Sequence, residues 1–154
     1  RFLFFLTLLS TALAVKLEKC KSRPSRPLPL ELRSTTCNET RCSISKSAPV
    51  GFELDLKIRN NTEHVFPSTL LIYKLPDHHI GEIPVEIDVN RGCDYLISHS
   101  CPLKKDDIVT WAFDWDFLPD EVFGVGVTFK AEISLYDGAA DPVACFRVDL
   151  IIDE

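Results

Sequence analysis

The sequence predicts an all-β protein, an immunoglobulin-like antiparallel β-sandwich of about seven strands, on three observations. Apolar and polar residues alternate with a period of two through several segments. Clusters of turn-forming residues separate those segments, and no long stretch keeps the 3.6-residue apolar period of a helix. A length of 154 residues suits one domain, and a hydrophobic content of 45% supplies it with a core.

Taken in order, the first candidate strand is the short run Leu28 to Leu32. Phe52, Leu54, Leu56 and Ile58 then alternate with Glu53, Asp55, Lys57 and Arg59, and a turn follows at Arg59-Asn-Asn-Thr62. Thr69 to Leu75 is a weaker candidate before Pro76-Asp-His-His-Ile-Gly81. Ile83, Val85, Ile87 and Val89 oppose Glu82, Glu86 and Asp88, with Asn90-Arg-Gly92 as the next turn. The clearest pattern places Val109, Trp111, Phe113, Trp115 and Phe117 on one face and Thr110, Asp114 and Asp116 on the other. Val125, Val127, Phe129, Ala131, Ile133 and Leu135 alternate with Gly126, Thr128, Lys130, Glu132 and Ser134. Ala144, Phe146, Val148 and Leu150 do so with Cys145, Arg147 and Asp149. Strands that each have one wet face are satisfied by two sheets packed on their apolar faces.

Residues 1–14 (RFLFFLTLLSTALA) combine a basic start, an apolar run and small residues in an A-x-A arrangement, the pattern of a cleaved secretory signal peptide. The expected domain is then 15–154. All six cysteines lie in it: Cys20, Cys37, Cys42, Cys93, Cys101 and Cys145. An even number in an oxidising compartment implies three disulfides, for which the count alone allows 15 pairings. Two pairs are suggested locally, Cys37 with Cys42 around a tight turn and Cys93 with Cys101 around a polar loop, which leaves Cys20 for Cys145. Lys19 to Pro29, basic and Pro-rich, reads as an irregular crossing over one edge of the fold. A net charge of -6 argues against nucleic acid as a partner.

These features together resemble the ML (lipid-recognition) domain family, which includes the Niemann-Pick type C2 sterol carrier and the group 2 mite allergens. The resemblance rests on Cys20 directly after the leader, the Cys37/Cys42 pair, Ile83-Pro-Val-Glu-Ile87 leading to Cys93, the segment Cys101-Pro-Leu-Lys-Lys-Asp-Asp107 and the final Ala144-Cys-Phe-Arg-Val148. It spans nearly the whole mature chain. What it implies is the disulfide set Cys20–Cys145, Cys37–Cys42 and Cys93–Cys101, and non-catalytic lipid binding in a cavity between the sheets. The expected ligand is a sterol, fatty acid or similar apolar molecule, with no cofactor and no metal. A membrane or receptor partner for ligand transfer belongs to the same expectation, as does a monomeric, secreted protein of extracellular or lysosomal destination. Candidate wall residues are Phe66, Ile83, Val85, Ile87, Trp111, Phe113, Trp115, Phe117, Val127, Phe129, Phe146 and Val148. Taken singly and without the resemblance, each reads more readily as packed core.

Two other classes compete. A secreted interaction module, an immune-recognition co-receptor or an allergen-like protein, would sense lipid through a protein partner. A small hydrolase needs catalytic spacing that is absent: there is no G-x-S-x-G elbow, H-E-x-x-H or P-loop, Asp114 and Asp116 fall on a wet face, and His99-Ser100 lacks an acid partner. No C-x-x-C pair exists, and His64, His78, His79 and His99 lack zinc-like spacing. Asn38-Glu-Thr40 and Asn60-Asn-Thr62 are glycosylation sequons in turns, making Asn38 and Asn60 candidate acceptors.

Overall fold

The computed structural model describes residues 15–21, 25–45, 50–74, 80–85, 89–115, 124–139 and 141–153. The strands are β1 (Glu18–Lys19), β2 (Glu31–Arg33), β3 (Cys42–Ser45), β4 (Val50–Lys57), β5 (Phe66–Lys74), β6 (Ile80–Val85), β7 (Ile108–Trp115), β8 (Thr128–Tyr136) and β9 (Pro142–Asp153). One sheet runs β1-β9-β8-β5-β6, with β3 also paired to β9, and the other runs β2-β4-β7. The pairings are antiparallel except β3 with β9, which is parallel. Among the described residues no helix is long and apolar enough to cross a membrane.

The alternation read in the sequence sets the two packed faces. Phe52, Leu54 and Leu56 of β4 and Val109, Trp111 and Phe113 of β7 point into the core, as do Phe129, Ala131, Ile133 and Leu135 of β8. Two strands lie beyond the expected set. β1 and β3 are too short for a period of two to register, and β3 is held to β9 by Cys42↔Leu150, Ser43↔Ile151, Ile44↔Ile152 and Ser45↔Asp153.

The structure corrects four local readings. The strand expected from Ile83 runs from Ile80 to Val85, and Val89–Tyr95 is a 3₁₀ helix, so Val89 is not a strand residue. Val125, expected inward, is 55% exposed, because Gly126 takes a left-handed φ of 85° and turns the chain before β8 begins at Thr128. The third concerns the expected wet faces of the last two strands: Glu132, Ser134, Cys145 and Arg147 are all buried. The Pro-rich lead-in, fourth, does not merely skirt an edge. The Pro27 carbonyl accepts a hydrogen bond from Cys145 N (2.9 Å), and Cys20 is bonded to Cys145. Arg26 then lies over the Tyr136 ring at 4.4 Å and donates to Tyr136 Oη (2.6 Å) and Ser134 Oγ (3.3 Å). Beneath this cover Arg147 pairs with Glu132 at 3.2 Å, which balances two charges that burial would otherwise make costly.

The disulfides are Cys20–Cys145, Cys37–Cys42 and Cys93–Cys101, the set expected from the spacing.

Candidate functional site

Between the two sheets lies an interior whose walls are built pair by pair. Phe52 stands opposite Phe113, Leu54 opposite Trp111 and Leu56 opposite Val109 on the smaller sheet. Across from them, Phe129, Ala131, Ile133 and Leu135 pair with Leu150, Val148, Phe146 and Ala144. β5 adds Leu71 beside Ala131 and Tyr73 beside Phe129. Each pair places apolar side chains on the same face, so the lining is continuous across strands.

One flank of this interior is sealed. Trp111 is 0% exposed, and its indole Nε1 donates to the Gly92 carbonyl at 2.9 Å. The indole stacks on Phe113 at a centroid distance of 5.3 Å and meets Tyr95 edge-on at 5.6 Å. Gly92 can approach only because it lacks a side chain: a Cβ there would collide with the Val65 carbonyl. The Cys93–Cys101 disulfide ties this 3₁₀ segment to the chain that enters β7.

Cover thins at the opposite end. Pairing places Lys74 beside Ile80, Tyr73 beside Phe129 and Thr128 beside Ile151, so these strand ends share one end of the larger sheet. Ser45, beside Asp153, is only five residues from Val50, and a chain that short cannot span the length of the sandwich, so the Val50/Trp115 end of the smaller sheet lies there too. Here and along β6, Tyr73, Ile83 and Val127 are only partly buried, and Phe129, Phe113 and Val85 retain 4%, 5% and 6% exposure. Gly81 makes room for the Tyr73 ring, which a Cβ at that position would overlap.

Charge is kept on the outer faces. On the smaller sheet Arg33 donates to both Asp55 oxygens, at 2.6 and 2.8 Å, and also reaches Glu31 and Glu53. The hydrogen bonds from Arg33, with a further one from Thr110, hold the Asp55 carboxyl below its ordinary pKa against the opposing effect of burial. On the larger sheet Lys130 bridges Glu18 (2.8 Å) and Asp149 (2.9 Å). Burial works against the Lys130 charge, yet these two partners raise its pKa overall, and its hydrogen bond lowers that of Glu18. Beside this cluster an open groove of about 440 Å³ includes Arg41, Ile72, Lys74 and Thr128 in its lining. Tyr73, Phe129 and Leu150 belong to the same lining.

The candidate wall residues divide by place. Trp111, Phe113, Phe129, Phe146 and Val148 face the interior and are buried; Val85 is buried on β6, with Ile83 and Val127 partly covered. Phe66 is not among them. It pairs with Tyr136 on the outer face, half-buried with its ring 6.1 Å from His64, because the inward positions of β5 are Pro67, Thr69, Leu71 and Tyr73. Trp115 is described only by its backbone pairing with Val50, and Ile87 and Phe117 lie outside the described residues. Residues 1–14, expected to be a leader, and His78, His79 and Asp116 also lie outside them. Asn38 and Asn60 are exposed. The Asn38 Oδ1 accepts from Thr40 N, Thr40 Oγ1 and Arg41 N, each at 2.9 Å, which leaves the opposite, Nδ2 side of its amide outside that turn.

Groups capable of metal or nucleophilic chemistry do not assemble into a working set among the described residues. Cys20, Cys145 and Glu132 lie close together, but both sulfurs are spent in a disulfide and offer no thiolate. His99 Nδ1 contacts Ser98 Oγ at 2.9 Å on the exposed surface, where Ser98 Oγ already accepts from Thr110 N.

Comparison with known proteins places this geometry. Residues 14–152 match the ML domain family. In fold, the chain is similar to the crystal structure of a Niemann-Pick type C2 protein from the Japanese carpenter ant, with a TM-score of 0.68 and 15% identity. The alignment covers 90% of this chain and 99% of the ant protein. At that identity the likeness concerns the fold. No curated protein matches the sequence.

Proposed function

The chain belongs to the ML domain family, a lipid-binding and non-enzymatic family, and from that premise we propose that it is a secreted carrier holding one apolar lipid between its two sheets. A sterol or a fatty-acyl chain suits the lining. The observation that carries this reading is the continuous interior wall, free of charge among the described residues, whose cover thins at the β6 end, around Tyr73, Ile83, Val127 and Phe129. An apolar ligand seated there gains about 25 cal/mol for each Å² removed from water, before ordering costs are subtracted. Three disulfides and two exposed sequons support a secretory route, since such bonds persist in oxidising compartments.

A direct test is native mass spectrometry of protein purified from the medium of eukaryotic cells, followed by extraction and identification of bound lipid. One lipid per chain, released chemically unchanged, is the expected result. Titration with a fluorescent sterol and a fluorescent fatty acid then ranks the two ligand classes. Failure to bind either, or turnover of an ester substrate that survives stringent purification, overturns the carrier reading.

A further inference from the structure

Among the inward positions of β5 one carries a hydroxyl that the fold does not satisfy. Thr69 pairs with Ile133 on β8 and Val85 on β6 and is 2% exposed. Its Oγ1 is buried without any hydrogen-bond partner among the described residues. On the same face of β5, Leu71 is fully buried, so the hydroxyl sits within an apolar wall. Leaving such a group unmatched costs about 1–3 kcal/mol, which valine, of nearly the same shape, would avoid. A threonine in this place has a physical use if something brought between the sheets supplies the missing partner.

We infer that Thr69 Oγ1 hydrogen-bonds an oxygen function of the bound lipid, so that the ligand presents a neutral hydroxyl or carbonyl oxygen to the inner wall of β5. The inference rests on the carrier reading and narrows it. A single hydroxyl compensates one neutral polar atom, but it falls far short of the cost of an ionised carboxylate taken out of water. Arg33, Lys130 and Arg147 are engaged with carboxylates on the outer faces, and Arg26 lies over Tyr136 and Ser134, which also face outward. The class selected is therefore a neutral, oxygenated lipid: a sterol or fatty alcohol through its hydroxyl, or an acyl ester through its carbonyl. An ionised fatty acid with its head inside is disfavoured, and a pure hydrocarbon leaves Thr69 as it is.

The test uses the full chain as wild type, Thr69→Val and Thr69→Ser, with displacement of a fluorescent sterol by paired competitors: cholesterol against cholestene, and hexadecanol against hexadecane and palmitate. Wild type is expected to prefer each neutral oxygenated competitor over its hydrocarbon by about tenfold, the equivalent of about 1.4 kcal/mol. Thr69→Val should erase that preference by weakening the oxygenated member alone, and Thr69→Ser should restore it. The thermal midpoint of lipid-free Thr69→Val should equal or exceed that of wild type. Equal preference in wild type and Thr69→Val overturns the inference while leaving lipid binding intact. A midpoint lowered by several degrees overturns it too, because it reveals a partner for the hydroxyl within the protein. If wild type binds no competitor, the carrier reading fails and this inference with it.

Discussion

At the scale of single residues, the difference between wall and core decides what a substitution does. Val127 is only partly buried beside the fully packed strands, so Val127→Phe has room to add a ring at the thinning end. The variant is expected to lose lipid affinity about tenfold or more while its lipid-free thermal midpoint stays level or rises. Packed core would instead show a loss of roughly 1 to 3 kcal/mol in the lipid-free protein, and calorimetry with a parallel binding titration separates the two outcomes. Gly92→Ala probes the sealed flank. Its new Cβ meets the Val65 backbone, which cannot rotate away, so the expected cost is about 3 kcal/mol or more, read from denaturant midpoints. The inward direction of Trp111 and Phe113 was legible from the alternation. Phe66 was misplaced because the weak pattern of its strand does not reveal which parity faces in, and the lone hydroxyl of Thr69 gave no signal without its neighbours.

At the scale of elements, cross-strand charges tie β2 to β4 and β7. Arg33 lies on β2, Asp55 on β4 and Thr110 on β7, and the triple contact keeps Asp55 ionised below its ordinary range. A carboxyl whose folded pKa is depressed stabilises the fold above its unfolded pKa of about 3.9 and loses that contribution as pH falls through the folded value. Wild type should therefore lose thermal stability on acidification below about pH 4. Asp55→Asn should start lower at pH 7, and the gap between the two proteins should narrow as the pH falls below about 4. A constant gap across that range means that Asp55 acts through shape and not charge. The long strands were legible because each repeats its alternation several times. β1 and β3 were not, since two to four residues carry too few repeats and their place depends on pairing with a distant strand. The buried outer faces of β8 and β9 were also hidden, because their sequence is polar and the cover comes from residues more than 100 positions away.

At the scale of the whole molecule, the two ends of the described chain are held by Cys20–Cys145 across a separation of 125 residues. Replacing both with serine is expected to cost about 2–5 kcal/mol, measured by denaturant unfolding under non-reducing conditions. Loss of less than about 1 kcal/mol indicates that β1–β9 pairing and Arg26 already constrain the ends. The connectivity was legible because two close pairs left one distant pair; the lead-in path was not, since its hold on β8 and β9 depends on side chains meeting across the sheet. The same bond makes nearly the entire domain a closed covalent ring. A protease that cuts once in any connecting segment between residues 20 and 145 opens that ring without releasing a fragment, so the two new ends stay attached and the strands can remain paired. Singly nicked protein should therefore travel as one species on a non-reducing gel and separate into two only after reduction, and a lipid already seated between the sheets should survive the first cut.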